Sequence, residues 1–103
     1  MGLFSKMGAG DSNEISVEFG DTLDISKAAE FHQQLQSALG KGGEVVLDAS
    51  ELGRIDAASL QLCVAFFADA AARKVTAKWH SPSEALVRSA SLLGLSQQLG
   101  LPE

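Results

Sequence analysis

The side chains in this sequence that could carry chemistry are few and lie far apart. Its histidines are His32 and His80, and its one cysteine is Cys63. Nucleophilic catalysis needs a base within hydrogen-bond reach of the nucleophile, and neither histidine forms a motif with a serine or a carboxylate. A metal centre needs Cys, His or carboxylate ligands at close spacing, which these residues do not supply. We therefore predict no catalytic residue, no metal site and no cofactor, and a protein that is not an enzyme.

Asp48 and Asp56 come nearest to a pair of catalytic carboxylates. Asp48 ends the apolar run Glu44–Asp48, and Asp56 precedes a stretch with helical character. A strand end and a helix cap account for them, because carboxylates are favoured at helix N-termini. The glycines within residues 40–43 lead into a strand, so they predict a helix end rather than a phosphate-binding loop. Cys63 lies in an apolar run and is predicted to be buried and inert.

The segment Val45–Leu62, VVLDASELGRIDAASLQL, is where the sequence indicates binding. A strand is predicted to end in this segment, and a helix is predicted to begin just after Asp56. The next residues, Ala57, Ala58 and Ser59, are small and leave the backbone open to close approach. Unpaired N–H groups and partial positive charge at a helix N-terminus also favour a phosphate or a carboxylate there.

The helical wheel of this second helix predicts an apolar patch close to the start of the helix. Spacing predicts that Leu60, Val64, Phe67 and Ala71 face the sheet. The opposite face then holds Ser59, Leu62, Phe66, Asp69 and Arg73. Leu62 and Phe66 are apolar residues on a face expected to be exposed, which is typical of an interaction surface. The alternative is that another helix covers both side chains.

Strands and helices alternate along the chain and position these residues. Alternating apolar residues predict a strand from Glu14, and a second short strand is predicted around Leu23 and Ile25. Ser26 is the predicted cap of the first helix, and Glu44–Asp48 is predicted to be a buried central strand. Another strand is predicted over residues 75–79, after the second helix. The order β-β-α-β-α-β-α predicts an α/β fold of four or so strands, partly parallel, with the helices largely on one face.

The third helix has the sharpest start signal, Ser81-Pro82-Ser83-Glu84. Ser81 is the predicted N-cap, Pro82 suits the first helical position, and Glu84 stands at the capping-box position. The side chains predicted to be buried by this helix and by the tail after Gly94 are Leu86, Ala90, Leu93, Leu95 and Leu99.

Composition restricts the class of protein and its partners. The 103 residues fit one domain, with a flexible leader predicted over residues 1–13 and the domain over residues 14–103. The net charge of −5 disfavours nucleic acid and anionic lipid as partners. Neither a signal peptide nor an apolar run of the roughly 18 residues needed for a membrane span is present, so we expect a cytoplasmic location.

Three motifs, in order, resemble the STAS domain family, the fold of anti-anti-sigma factors, over about Glu14 to Leu99. They are Val45-Val46-Leu47-Asp48 with Leu52, then Arg54-Ile55-Asp56 with Leu60-Gln61-Leu62, then Ser81-Pro82-Ser83 with Leu92-Leu93-Gly94-Leu95. The resemblance implies a mixed sheet of about four to five strands, including one from the N-terminal region, with helices mainly on one face. It also implies a protein-binding switch. In the family, the helix start after the aspartate docks on a serine kinase that doubles as an anti-sigma factor, and phosphorylation two residues after the aspartate breaks the docking.

The sequence departs from this pattern at the phosphorylated position. The residue two after Asp56 is Ala58, which has no hydroxyl, and Ser59 follows it. Ser59 is the one candidate for phosphorylation here, although one step along a helix turns a side chain by roughly 100°. We therefore expect constitutive binding, with Asp56, Ala57, Ala58, Ser59, Leu62 and Phe66 as the partner-binding residues.

The resemblance leaves two functions open. The first is a non-catalytic adaptor in bacterial signalling, an anti-sigma factor antagonist or a chemotaxis-type partner-switching protein that binds a regulatory kinase-like protein. The alternative is a cytoplasmic accessory subunit of a phospholipid-transport ABC ATPase, which binds the ATPase through the same helix start. A homodimer through the same patch is a further outcome that the sequence leaves open.

Overall fold

A computed structural model describes residues 14–102 of the chain, and the leader predicted over residues 1–13 lies outside the described residues. The elements in chain order are β1 (Glu14–Glu18), β2 (Thr22–Leu23), a 3-10 turn (Ile25–Lys27), α1 (Ala28–Gly40), β3 (Glu44–Asp48), β4 (Arg54–Ile55), α2 (Ala57–Ala72), β5 (Ala77–His80), α3 (Glu84–Leu92) and α4 (Ser96–Leu99).

The strand β3 is the centre of a three-stranded parallel sheet with the order β1-β3-β5. Its Leu47 lies opposite Val17 on one side and Trp79 on the other. Val45, Val46 and Leu47 are all buried, as expected for a strand covered on both faces. The short strands β2 and β4 form a second parallel pair. The predicted α/β fold with four to five strands is confirmed, and every pairing among the described strands is parallel, in two sheets.

The first helix begins differently from the prediction. Asp24 caps a 3-10 turn before α1: its backbone is extended and its carboxylate accepts a hydrogen bond from the Ser26 N–H at 3.0 Å. The N-cap position of α1 itself is Lys27, which makes no side-chain capping bond. Ser26 therefore lies inside the 3-10 turn that leads into α1. The buried face of α1, which carries Phe31, Leu35, Ala38 and Leu39, agrees with the predicted helical spacing.

The third helix also begins later than predicted. Ser83 is its N-cap and accepts a hydrogen bond from the Leu86 N–H at 3.1 Å, whereas Ser81 has a φ of +47° in the turn after β5. The prediction that Leu93 is buried is wrong, because the side chain is 50% exposed. α3 ends at Leu92, before this residue, and Gly94 takes the left-handed conformation.

Aromatic side chains join the sheet, the helices and the tail into one core. Phe19 packs edge-on against Phe31 at 4.9 Å and against Trp79 at 5.6 Å between ring centroids, and Phe67 also lies 5.6 Å from Trp79. The Trp79 indole N–H donates a hydrogen bond to the Leu99 carbonyl at 2.8 Å, which fixes the C-terminal segment. The half-buried indole thus has both apolar contacts and a partner for its polar atom.

Candidate functional site

The connection from β3 to α2 places Asp56 beside the start of α1. The N–H groups of Gly53 and Arg54 both donate to the Asp21 carbonyl, and the Asp56 N–H donates to the Leu23 carbonyl at 3.2 Å. These bonds belong to the β2–β4 pair, whose register sets Ile55 opposite Leu23. The small second sheet therefore brings the ends of two loops together immediately before α2.

The Asp56 carboxylate accepts hydrogen bonds from two different helical starts. One oxygen accepts from the Ser59 N–H at 2.9 Å and caps α2, and the other accepts from the Ile25 N–H of the 3-10 turn at 2.8 Å. The Ser59 N–H, and to a smaller extent the Ile25 N–H, lower the pKa of Asp56 below its usual 3.8. The predicted capping role of Asp56 is confirmed, and the charged carboxylate holds both segments in place.

The residues after Asp56 divide into an exposed pair and a buried serine. Ala57 and Ala58 are exposed, as the small-residue pattern predicted. Ser59 is fully buried, and its hydroxyl makes no hydrogen bond among residues 14–102. Its N–H is already bonded to Asp56, so the surface at this helix start is formed by the two alanines.

The predicted exposure of Phe66 is wrong. Its side chain is 2% exposed and packs edge-on against Phe67 with ring centroids 5.4 Å apart. Leu62 is half-buried and packs against the core. The reason is that α2 packs against both α1 and α4, so its buried sector is wider than one sheet-facing stripe. The residues that are fully buried on α2 are Ser59, Leu60, Cys63, Phe66 and Ala70.

The outer face of α2 is a continuous strip of small side chains. Its exposed residues are Ala57, Ala58, Gln61, Ala65, Ala68, Ala71 and Ala72. Gln61 is the one polar residue in this strip. The apolar surface of the helix is therefore real, but it is made by alanines along its length instead of by Leu62 and Phe66.

Ile25 lies beside the candidate site, a position that the sequence did not predict. It was expected in a strand, but it begins the 3-10 turn and its side chain is 71% exposed. The N–H bond to Asp56 places it beside the start of α2. The signal in the sequence was Asp24. Aspartate is typical of turns, because its carboxylate can accept a hydrogen bond from the backbone N–H two residues later.

Charge is distributed unevenly between the two ends of the domain. The loops at the carboxyl ends of β1, β2 and β3, which adjoin the α2 start, carry the carboxylates Glu18, Asp21, Asp24, Asp48, Glu51 and Asp56. The basic side chains at this end are Lys27, Arg54 and His80, the last of which lies opposite Asp48 in the sheet. At the opposite end, α1 and α2 finish with Lys41, Arg73 and Lys74, and β1 and β3 begin with Glu14 and Glu44. The site therefore lies at the acidic end.

Asp48 is held at this acidic end by its own turn. One oxygen accepts hydrogen bonds from the Ser50 hydroxyl at 2.7 Å and from the Ser50 N–H at 3.1 Å. These two bonds, hydroxyl first, lower the pKa of Asp48. In the described part of the chain there is no cluster of three or more His, Cys, Asp or Glu that could hold a metal ion.

Comparison with known proteins identifies the architecture. A family model described as "Mlab, STAS domain" matches residues 9–102, which is nearly the whole chain. The chain belongs to the STAS domain family. The structure of this STAS domain is similar to the crystal structure of a Thermotoga maritima protein assigned as an anti-sigma factor antagonist, with a TM-score of 0.72 and 24% identity over 82% of this chain and 74% of the other. No curated protein matches the sequence.

The STAS domain thus brings together Asp56, Ala57 and Ala58 with Ile25 at one surface, and it withdraws Ser59 and Phe66 into the core. Cys63 is also fully buried, and desolvation raises the pKa of its thiol to about 12. None of the helices within residues 14–102 is long and apolar enough to cross a membrane.

Proposed function

We propose that this STAS domain is a non-catalytic, cytoplasmic adaptor in bacterial signalling, of the anti-sigma factor antagonist or partner-switching type. It binds a regulatory kinase-like protein through the start and outer face of α2. Asp56 positions the surface, Ala57 and Ala58 are contact residues, and the half-buried Leu62 lies at its margin. The described residues give no reason to propose a reaction.

The observation that carries the proposal is the composition of α2. Within Ala57–Ala72 the polar residues are Ser59, Gln61 and Asp69, so the helix is apolar all round. Helices of that kind are normally covered on every side, yet one face of α2 is exposed to solvent. A protein partner that covers this face accounts for its composition.

Binding through this surface is proposed to be constitutive. Phosphorylation of a serine needs a hydroxyl that a kinase can reach, and Ala58 has none. The Ser59 hydroxyl is buried, so its modification would require α2 to move. The added charge that releases other members of the family from their partners is therefore absent at this position.

The substitution Ala58→Glu tests the surface without harming the helix. A glutamate in the first turn favours helix formation, so the variant should fold like the wild type. It places a charge and a longer side chain where the partner should approach. We expect affinity purification from the native host to recover the partner with the wild-type domain and to lose it with Ala58→Glu, as measured by quantitative mass spectrometry.

Gln33→Glu provides the matched control, because it adds the same charge to an exposed position of α1. This variant should retain the partner. Recovery of the partner by Ala58→Glu at the wild-type level would refute docking at the α2 start.

A second candidate function is the accessory subunit of a phospholipid-transport ABC ATPase. The lack of an accessible hydroxyl at the α2 start favours it, because a subunit that stays bound needs no phosphorylation switch. The same purification distinguishes the two functions. A histidine-kinase-like ATP-binding protein indicates signalling, whereas an ATPase together with a permease indicates transport.

A further inference from the structure

Ile25 is an unusual residue to find on the surface next to the α2 start. Large hydrophobic side chains with high exposure in the described chain are Ile25, Leu92 and Leu93. Leu92 and Leu93 lie at the end of α3. Ile25 alone among them is hydrogen-bonded to a residue of the proposed docking surface, through its N–H to Asp56.

The backbone around Ile25 is fixed on both sides. Asp24 caps the turn through the Ser26 N–H, and the Lys27 N–H donates to the Asp24 carbonyl at 2.9 Å. The Lys27 ammonium also bonds to the Thr22 carbonyl at 3.3 Å. An exposed isoleucine on a turn with this many bonds is presented rigidly, so little conformational freedom is lost when a partner buries it.

Carboxylates outnumber bases around Ile25. Asp24 precedes it, Asp56 accepts a hydrogen bond from its N–H, and the acidic loops with Asp21 and Glu51 adjoin the same end of the domain, whereas Lys27 and Arg54 offset part of this negative charge. Electrostatic complementarity then favours a positively charged partner surface and disfavours an acidic one. A second copy of this chain would bring like charges together if it used this face.

We propose that Ile25 is an apolar anchor of the docking surface and that it enters a pocket of the protein partner bordered by lysine or arginine side chains. This inference rests on the proposed function and adds to it the chemistry of the partner. Ile25 and the α2 start form one contact surface, in which the alanines allow close approach and Ile25 supplies the larger side chain.

Site-specific photo-cross-linking in the native host tests the proposal with the intact chain. The photoreactive residue p-benzoylphenylalanine replaces Ile25, Ala58 or Leu92 in turn, and cross-linked peptides are identified by mass spectrometry. Leu92 is the matched control, since it is also a large apolar side chain and is 79% exposed. We expect Ile25 and Ala58 to cross-link to the same protein, through peptides rich in lysine and arginine, and Leu92 to give no such product.

The outcomes separate this inference from the proposed function. No cross-link from Ala58 would refute docking at the α2 start, and this inference with it. Cross-linking from Ala58 with no product from Ile25, or with no more than from Leu92, would refute the role of Ile25 alone. Cross-linked peptides with a net negative charge would refute the basic character of the partner.

Affinity measurements with the partner identified in this way complete the test. Ile25→Ala should weaken binding about tenfold, whereas Leu92→Ala should leave the affinity unchanged. Glu51→Lys, at the acidic end, should weaken binding more than Glu14→Lys, which changes the same charge at the start of β1. Equal effects within either pair would contradict the proposal.

Discussion

At the scale of single residues, Asp56 organises the site because one carboxylate satisfies two backbone donors. The Ser59 and Ile25 N–H groups belong to segments that are far apart in the sequence, and without Asp56 each would need another acceptor. The residue therefore has a stronger structural role than an ordinary cap. The sequence could predict that Asp56 caps α2, but the second bond depends on the β2–β4 pairing, for which the sequence has only a two-residue signal in each strand.

Ser59 gives a prediction at the same scale. A buried hydroxyl with no partner destabilises the folded state by about 1–3 kcal/mol, so Ser59→Ala should leave the free energy of unfolding unchanged or raise it. Urea unfolding followed by circular dichroism measures this. Ser83→Ala is the control, because loss of the α3 cap should cost about 1 kcal/mol. A Ser59→Ala variant as unstable as Ser83→Ala would show that the hydroxyl has a partner after all.

At the scale of elements, α2 shows what helical spacing can and cannot predict. Its start and its cap follow from Asp56 and the apolar run after it, and both were predicted. The orientation of the helix about its own axis was not predicted. A helix that is apolar all round has no clear polar face to show which side is exposed to solvent. The direction of Phe66 is decided by α1 and α4, which pack against α2 from elsewhere in the chain.

The burial of Phe66 has a measurable consequence. Phe66→Ala should lower the free energy of unfolding by about 3–5 kcal/mol, since it removes a large side chain from a close-packed core. Leu62→Ala should cost clearly less, because Leu62 is only half-buried. Guanidinium unfolding of the two variants makes the comparison. A stable, fully folded Phe66→Ala protein would mean that Phe66 lies on the surface, as the helical wheel first indicated.

The short elements were the hardest to predict from the sequence. β4 and α4 have two and four residues, too few for any periodic pattern to appear. The start of α3 was misplaced because Ser81 and Ser83 both have the chemistry of a cap. The choice between them depends on where β5 ends. Because β5 pairs with β3 as far as His80, Ser81 lies in the turn and Ser83 becomes the cap.

At the scale of the whole molecule, the carboxylates of the domain are concentrated at one end, and the opposite end carries both signs of charge. Acidic loops follow β1, β2 and β3, whereas Lys41, Arg73 and Lys74 follow the two longest helices. The bases near the helix C-termini are favoured there by the helix dipoles. The overall charge of −5 could be read from composition, but its concentration at one end depends on the parallel topology, which sets strand ends side by side.

Acid should destabilise the domain through this end. Hydrogen bonds from Ser26, Ser50 and Ser59 lower the pKa values of Asp24, Asp48 and Asp56 below 3.8 in the folded protein. The unfolded chain therefore binds protons more readily in this range. The stability that these groups contribute is present above about pH 3.8, and it is lost as the pH falls towards their lower pKa values in the folded state.

Urea midpoints measured from about pH 5 to about pH 2 should show this loss. Asp48→Asn keeps an oxygen that can accept from Ser50 but cannot titrate, so it should reduce the dependence on pH. Glu51→Gln removes an exposed carboxylate from the same end and is the control. An Asp48→Asn protein with the full wild-type pH dependence would contradict the assignment.

The alanines on the outer face of α2 have a consequence for the thermodynamics of association. An alanine side chain has no rotamers to lose, whereas a buried lysine or glutamate loses up to about 2 kcal/mol of side-chain entropy. Alanine is also the strongest helix former, so the exposed face keeps its shape without help from a ligand. A partner that covers this strip meets a surface that is already ordered, and nearly all of the entropy lost on binding must come from the partner and from the joining of two molecules into one.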